Sequence, residues 1–538
     1  MTIYLDYAAT TPVDPRVAAV MAENLTNPAA QANPASATHG AGLEAMARVE
    51  AARARIAALI GADAREIIFT SGATEANNLA LLGVASAARR AHSAQKGGAQ
   101  GLGHIVSVRT EHKSVLDACG QLEREGFAVT LVEPDATGRT PPEKILAALR
   151  PDSLLVSVML ANNEIGVIND VGGVAGAARA RGVLVHSDAS QAVGKLPVNV
   201  NELGVDFLSF TAHKFYGPKG IGALYVREAA RPRIAPLQFG GGHERGLRSG
   251  TLPTHQIAGF AEAAALARSQ GPADAAHARD LALRLERELE PIPGVIFNHR
   301  RLQGVPGLIN ASFEGVEGES LITALPELAV STGSACSSAT REPSYVLRAL
   351  GRGTELAQSS LRLSLGRFTT AAEVDAAAMA IRSEVSRLRV LAGAAAAEGS
   401  ATRIIDPVSS LATGNTLLGQ LNPLARRYFL AAPRVPEYPD GAAPADVRQG
   451  RAGRESSGTA VFFELKIARE IVKSARFSAY GCPHTVAVTA WLCEVLEGAA
   501  LGAGVPGKPA DWAEKFAVPT EKLGRLLIVE DALRAASG

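Results

Sequence analysis

The chain has 538 residues, with 54 lysine and arginine residues against 53 aspartate and glutamate residues, so its net charge is only +1. This length allows about three domains, and the balanced charge gives no indication of a nucleic-acid partner. The first residues lack the pattern of a signal peptide, and no uncharged apolar run reaches the roughly 18 residues of a membrane span. We therefore expect a cytoplasmic protein with no membrane partner.

Short apolar runs alternate with helical patterns between about residues 40 and 230. The runs predicted as strands are EIIFT (66–70), HIVSV (104–108), FAVTLVE (127–133), LLVSVML (154–160), VLVHSD (183–188) and VDFLSF (205–210). This alternation predicts an α/β fold in which βαβ units form a mostly parallel sheet with helices on both faces. Ligands of such sheets bind beyond the carboxyl ends of the strands.

Residues 270–395 have a different pattern. Two long charged helices, near 273–290 and 371–393, bracket strand-like pieces such as LINASFEG and SSLRLSLG. This pattern predicts a smaller α+β domain. The alanine-rich stretch that follows loses its apolar periodicity, and we assign a linker to residues 396–414.

The last part of the chain, residues 415–538, is predicted to be a separate small α+β domain. Its segment 431–458 is rich in proline, glycine and alanine and is predicted to be loop or disordered. The following runs VFFELKI and EIVKSARFSAYGC predict a hairpin, and helices are expected near 484–498 and 520–536.

The four cysteines are too few and too scattered for a disulfide framework. Each is therefore expected to be buried, catalytic or metal-binding, and most buried cysteines simply pack. They are Cys119, Cys336, Cys482 and Cys493.

Polar residues at predicted strand ends indicate a cofactor site. The segment FTSGATEANNLAL (69–81) is a strand end, a small-residue turn and a helix start, which suits a phosphate, although ordinary helices begin in the same way. Asp188 and Lys214 end two successive strands. A lysine placed in this way can form a Schiff base, and an aspartate can pair with a protonated pyridine nitrogen. A lone lysine is usually a solvated surface residue, but its combination with Asp188, Thr74 and His213 favours a pyridoxal 5'-phosphate (PLP) site.

Seven motifs then identify a family. In chain order they are SGATEANN, TEHKSVLD, NNEIG, DASQAVGK, HKFYGPKGIGALYV, GGGHERGLRSGT and STGSACSSATREPSYVLRALG. They resemble the motifs of the cysteine desulfurases of iron-sulfur cluster assembly, which are PLP enzymes with the fold of aspartate aminotransferase. The resemblance runs from about residue 2 to 393. It implies a large PLP-binding domain over 16–260 and a small domain formed by 1–15 and 261–395.

The resemblance implies a role for individual residues of these motifs. Lys214 would form the Schiff base with PLP, Asp188 would hold the pyridinium nitrogen, and His112 would stack on the ring. Asn163 and Gln191 would contact the ring substituents or the substrate. The planar fork of Arg362 suits it to clamp the substrate carboxylate. The phosphate would be bound by Ala73, Thr74, Thr211 and His213, and Thr251 would reach the phosphate of the partner subunit in a homodimer.

The implied reaction converts L-cysteine to L-alanine. The freed Lys214 amine would remove the Cα proton, and the Cys336 thiolate would attack the substrate sulfur and keep it as a persulfide for a sulfur-acceptor protein. This thiol needs a depressed pKa or a proton acceptor such as His112. Cys336 lies among small residues that let the backbone move, and EPSYVLRALG after it predicts a helix.

Other functions remain open on the same sequence. A selenocysteine lyase or an aminotransferase would use the same lysine, but an aminotransferase has no need for Cys336. A binding or assembly protein with a vestigial enzyme core is a further alternative, and the complete set of cofactor residues argues against it.

The segments KSARFSAYGCPHTVAVTAWLCEVLEG and IVEDALRAA resemble the scaffold protein of cluster assembly over roughly 415–538. Such scaffolds hold zinc or a nascent cluster with three cysteines and usually an aspartate, and only Cys482 matches one of them. Ser457, Thr459 and Arg525 or a neighbour stand near the other positions, and His484 is the one further ligand near Cys482. These side chains do not replace thiolates, so we expect a degenerate scaffold that holds no metal in the usual way.

Three roles for this domain are considered: a docking module that occupies the scaffold's site on the desulfurase, a persulfide relay through Cys482, and a structural remnant. A bifunctional protein that assembles a cluster is the alternative to all three.

Overall fold

The computed structural model describes residues 2–27, 30, 32–94, 101–298, 303–332, 343–393, 416–431, 433–439 and 443–538. Cys336 and the predicted linker 396–414 lie outside these residues. No helix of the described part is long and apolar enough to cross a membrane.

The described residues form strands and helices throughout the chain. The strands are β1 (Ile3–Tyr4), β2 (Ile67–Thr70), β3 (His104–Val108), β4 (Ala128–Val132), β5 (Ser153–Ser157), β6 (Leu184–Asp188), β7 (Phe207–Thr211), β8 (Gly222–Val226), β9 (Val295–Phe297), β10 (Leu308–Phe313), β11 (Leu328–Ala329), β12 (Ser360–Ser364), β13 (Val447–Arg454), β14 (Thr459–Ala468) and β15 (Ile471–Tyr480). The helices are α1 (Pro15–Thr26), α2 (Gly40–Leu59), α3 (Ala73–Ala94), α4 (Lys113–Arg124), α5 (Pro142–Ala147), α6 (Val171–Ala180), α7 (Val200–Leu203), α8 (Thr254–Leu289), α9 (Gly318–Thr323), α10 (Tyr345–Ala349), α11 (Thr354–Gln358), α12 (Ala371–Ala392), α13 (Leu417–Gln420), α14 (Pro423–Phe429), α15 (Pro483–Leu496), α16 (Pro509–Phe516) and α17 (Leu523–Ser537).

The large domain is built on a seven-stranded sheet with the order β2-β8-β7-β6-β5-β3-β4. Strands β3 to β7 run parallel to one another, whereas β8 is antiparallel to both β7 and β2. This confirms the predicted α/β class and all six predicted strands. β8 was not among the predicted strands; its sequence, GALYV, directly follows a glycine-rich turn.

The strands β3, β6 and β7 are buried on both faces, which is why they read as continuous apolar runs. β6 and β7 are adjacent and parallel, and Asp188 pairs in register with Ser209. The ends of these two strands therefore bring Asp188 and the turn after Thr211 to the same edge of the sheet.

The small domain contains two short sheets. β1 pairs parallel with β11, and β10 lies between β9 and β12 in an antiparallel sheet. The helix predicted near 273–290 is part of a much longer one, because α8 spans 36 residues from Thr254. Its first half packs on the large domain and its second half on the small domain, so it connects the two cores.

The C-terminal domain has a three-stranded antiparallel sheet with the order β13-β14-β15, on which α15 and α17 pack. The predicted hairpin and both predicted helices are confirmed. The prediction of loop or disorder over 431–458 is wrong for β13, which pairs with β14 along its whole length. Pairing with β14 and close packing against α17 specify this strand, rather than apolar residues. The packing is so close that a Cβ on Gly450 would lie 2.2 Å from the Ala532 carbonyl oxygen of α17.

The small domain and the C-terminal domain share one hydrophobic core. Ile381 and Leu388 of α12 belong to the same continuous cluster of buried residues as Phe463 of β14 and Phe477 of β15. The sheet of the C-terminal domain therefore buries apolar surface against the small domain.

Candidate active site and the C-terminal site

Lys214 lies in a single 3₁₀ turn directly after β7. Its Nζ donates hydrogen bonds to the carbonyl oxygens of Ala8 at 2.6 Å and Ala9 at 2.8 Å. Nε2 of Gln191 donates to the same Ala8 oxygen at 2.8 Å. The N-terminal segment of the chain thus brings two of the predicted site residues together.

Asp188 is buried at the end of β6 and has two defined partners. One carboxylate oxygen accepts from the backbone N–H of Ser190 at 2.9 Å, and the other accepts from Nδ2 of Asn77 at 2.7 Å. Asn77 also donates to Oγ of Ser114, which lies 2.8 Å from Nδ1 of His112. This chain of hydrogen bonds joins the predicted ring-nitrogen partner to the predicted stacking residue.

Asn77 was missed in the sequence analysis. It is fully buried on α3 and fixes the orientation of Asp188, yet it lies within SGATEANN, the motif that was interpreted only as a phosphate-binding turn. Its place one helical turn after Thr74 was the available signal, because residues three apart on a helix lie on one face.

Arg362 lies on β12 and connects three parts of the chain. Its Nη1 donates to the backbone oxygen of Asn163 at 3.0 Å, and its Nη2 forms an ion pair with Asp6 at 2.9 Å. The guanidinium Nε and Oδ1 of Asn163 are buried and have no hydrogen-bond partner among the described residues. Two predicted substrate-binding residues are therefore adjacent and retain unused hydrogen-bonding capacity.

The start of α3 lies against the end of β7. A Cβ on Gly72 would be 3.9 Å from Oγ1 of Thr211, and a Cβ on Gly222 would lie 2.7 Å from Cα of Gly72. A side chain at position 222 would not permit this approach, which places the N–H groups of a long helix beside the Lys214 turn.

His213 lies next to Lys214, and its Nδ1 is 3.2 Å from Oγ1 of Thr10. Burial, followed by the nearby cations Lys214, Lys219 and Lys195, lowers the pKa of His213 to about 4. The imidazole is therefore neutral at pH 7.

The described residues fit PLP. A lysine amine, a buried carboxylate, a helix N-terminus and an arginine with an unpartnered Nε converge beyond the carboxyl ends of adjacent strands. Thr74 and Thr251 are exposed in this single chain. Their contacts with the phosphate stay predictions.

Two fully buried acids near this site were also missed. Oε1 of Glu111 accepts from the backbone N–H of Met159 at 2.6 Å, and burial, followed by the charge of Asp188, raises the pKa of Glu111. Glu164 accepts a hydrogen bond from Oγ of Ser344. Burial, offset by Ser344 and Arg362, raises the pKa of Glu164 to about 7.

Two of the other cysteines are structural. Cys119 on α4 and Cys493 on α15 are buried, and burial raises the pKa of the Cys119 thiol to about 12 and that of the Cys493 thiol further. Both thiols are therefore protonated and unreactive at neutral pH.

Cys482 directly precedes α15 and is fully buried, with its Sγ 3.4 Å from Oγ1 of Thr485. The Arg525 guanidinium interacts with this sulfur and lies 3.9 Å from the position of a Cβ on Gly458, next to Thr459. The structure thus brings together the three positions expected for scaffold ligands, and it places a cation among them. Over the described residues, no group of three His, Cys, Asp or Glu side chains is arranged to hold a metal ion.

This part of the C-terminal domain faces the small domain. Oγ of Ser320 donates to the Gly481 carbonyl oxygen at 2.7 Å in a buried hydrogen bond. Lys522 forms an ion pair with Glu319, and Arg525 lies 3.7 Å from Glu317. We call the contacts of Glu317, Glu319 and Ser320 with the C-terminal domain the interdomain seam.

Comparison with known proteins agrees with the fold. Residues 3–377 match the family described as Aminotransferase class-V, and the chain therefore belongs to that family. Residues 439–538 match the family described as NifU-like N terminal domain.

Among its relatives in the family are the cysteine desulfurases IscS of Cronobacter sakazakii and Salmonella typhi. Each is 53% identical over 391 residues, which cover 73% of this chain and 94% of the relative. The solved structure of a NifS-like protein has a TM-score of 0.64 at 36% identity and covers 71% of this chain and 98% of its own. A NifS-like protein from Rickettsia africae has a TM-score of 0.62 at 30% identity and covers 71% and 99%. The chain is a cysteine desulfurase fused to a NifU-like domain.

Proposed function

We propose that this protein is a PLP-dependent desulfurase that converts L-cysteine to L-alanine and supplies the sulfur for iron-sulfur cluster assembly. The observation that carries the proposal is the placement of Lys214 and Asp188 at the ends of adjacent parallel strands, with Arg362 nearby. A lysine, a carboxylate and an arginine are the groups that PLP chemistry on an amino acid requires.

The side chains divide the work of the reaction. PLP, when bound, supplies an electron sink for the amino-acid substrate. Asp188, held by Asn77, keeps a proton on the ring nitrogen, and the Lys214 amine takes the proton from the substrate Cα. Arg362 binds the substrate carboxylate and uses its free Nε for this purpose.

Cys336 completes the reaction as the nucleophile. Its thiolate attacks the substrate sulfur, an S–S bond forms, and the bond between the substrate sulfur and Cβ breaks. The electron pair of the broken bond stays with the carbon fragment, which takes a proton and leaves as alanine. Because the sulfur stays on Cys336 as a persulfide, no external oxidant or reductant is needed for this half of the reaction.

The test compares Cys336→Ser with the wild type after reconstitution with PLP. Both are incubated with L-cysteine and dithiothreitol, and alanine and sulfide are measured. The wild type should form both products in equal amounts, and Cys336→Ser should lose at least about 99% of the rate. Lys214→Ala is the control without a Schiff-base lysine. Undiminished alanine formation by Cys336→Ser would contradict the role of this thiol, and the same assay with L-selenocysteine measures the alternative lyase activity.

We further propose that the C-terminal domain is a docking module rather than a working scaffold. Its support is the interdomain seam together with the common hydrophobic core, which keep the Cys482 face against the small domain. A relay through Cys482 is disfavoured because this sulfur is fully buried. Arg525 at the ligand position repels a metal cation.

Metal analysis of the purified protein tests this proposal. We expect less than about 0.1 equivalent of iron or zinc per chain, unchanged in Cys482→Ser. Stoichiometric metal that is lost in Cys482→Ser would show a bifunctional desulfurase and scaffold instead.

We also propose a homodimer. Phe239 is 73% exposed and Leu237 is 40% exposed, and Gln238 between them bridges to Arg248, just before Thr251. Two large apolar side chains exposed in one short segment support an interface at this place. Sedimentation analysis should give twice the chain mass, and Phe239→Glu should shift the protein towards monomer.

A further inference from the structure

Lys195 lies four residues after Gln191, in the turns that follow β6. Its Nζ donates a hydrogen bond to Oε1 of Gln191 at 2.7 Å. None of the roles assigned above includes this lysine, although its partner shares the Ala8 carbonyl oxygen with Lys214.

The two contacts of Gln191 determine which way its amide faces. A lysine amine next to an amide donates to the oxygen, and a backbone carbonyl can only accept from the nitrogen. Oε1 therefore faces Lys195, and Nε2 faces Ala8 and the Lys214 turn. The amide nitrogen carries a second N–H, so this orientation presents donors to the site rather than the carbonyl oxygen.

The position is unfavourable for a cation. Lys195 is surrounded by Lys214 and Arg362, and His213 also lies within its electrostatic reach. Burial, followed by the charges of Lys214 and Arg362, lowers the pKa of Lys195 to about 7. The charged form of Lys195 is therefore disfavoured at this position, and the hydrogen bond to Gln191 is the one that its side chain makes among the described residues.

We propose that Lys195 is a positioning residue that holds the Gln191 amide with its N–H groups towards the Lys214 site. With the amide held in this way, an anionic oxygen on the cofactor ring would meet an N–H donor of Gln191. It would not meet the Gln191 carbonyl oxygen. This inference rests on the proposed function, because it needs PLP at Lys214.

The test is a pH titration of the visible absorbance band of the PLP-reconstituted protein, with no substrate present. Without Lys195, the Gln191 amide is no longer held with an N–H group towards an oxygen anion on the ring. The deprotonated form then loses a hydrogen bond that stabilises it, so the pKa rises. We expect the midpoint of the titration to rise by about one pH unit in Lys195→Met, and by at least as much in Gln191→Ala. The double variant Lys195→Met/Gln191→Ala should have the midpoint of Gln191→Ala alone, because Lys195 acts through that side chain.

Two controls separate positioning from a general charge effect. Lys219 is an exposed cation that, like Lys195, acts electrostatically on His213. The variant Lys219→Met removes this charge and should leave the midpoint of the titration unchanged. Lys195→Arg keeps a donor and should remain within about 0.3 pH unit of the wild type. Lys195→Leu replaces Lys195→Met if the latter does not fold.

The results of these titrations distinguish failure of the Lys195 role from failure of the proposed function. An unchanged midpoint in Lys195→Met overturns the inference, and so does a double variant that shifts further than Gln191→Ala, which would show a direct charge effect. If the wild type develops no visible band with PLP, the proposed function itself fails.

Discussion

Reversing one charge of the interdomain seam should open the contact between the C-terminal domain and the small domain. In Glu319→Lys, an ammonium group replaces the carboxylate that pairs with Lys522, whose side chain is only 4% exposed. Two unit charges about 4 Å apart interact by roughly 4 kcal/mol at an effective dielectric constant of 20. The side chain at 319 is 26% exposed and can turn into water, so we expect a net cost of about 2 kcal/mol, or roughly 30-fold in the opening equilibrium.

The labelling rate of Cys482 with a maleimide measures this opening, because the sulfur is fully buried in the closed arrangement. The experiment uses the Cys336→Ser background and quantifies the Cys482 peptide by mass spectrometry. Labelling should become roughly 30-fold faster in Glu319→Lys, and the swap Glu319→Lys/Lys522→Glu should restore the slow rate. Cys493, buried in the same helix, reports unfolding of the whole domain and should keep its slow rate. An unchanged rate for Cys482, or a swap that fails to restore it, would refute the seam as the contact that closes this face.

Two further predictions concern the active site. The pKa of Glu164 is about 7 in the folded protein and about 4.5 in the unfolded chain. The free energy of unfolding therefore falls as the pH rises from 4.5 towards 7, because the folded protein has to bury a charged Glu164 above that range. Glu164→Gln should therefore gain about 3 kcal/mol relative to the wild type between pH 5 and 8, and thermal midpoints that keep a constant difference over that range would contradict this. Arg362→Lys keeps the charge and loses the fork, so the KM for L-cysteine should rise about 100-fold with a smaller effect on kcat, and an unchanged KM would exclude Arg362 as the carboxylate clamp.

The predicted site residues came from motifs, and the structure brings most of them together. Lys214 and Gln191 meet at Ala8, and Arg362 meets Asn163. Asn77 and Lys195 were not predicted, because each acts through another side chain, Asp188 and Gln191, and a motif does not show which side chains meet in the fold. Contacts between residues far apart in the chain are decided by the packing of whole elements, as in the hydrogen bond from Asn77 to Asp188.

The sequence by itself determined the class of fold and the six predicted strands of the large sheet, and it supplied the candidate residues of the active site. It did so because buried parallel strands have a strong local pattern and because cofactor chemistry requires particular side chains. Only the tertiary structure decided the strand β13, the single core that joins the small and C-terminal domains, and the seam that covers Cys482. These features depend on surfaces that meet across the fold, such as Ser320 against Gly481, and no local pattern in the chain encodes which surfaces those are.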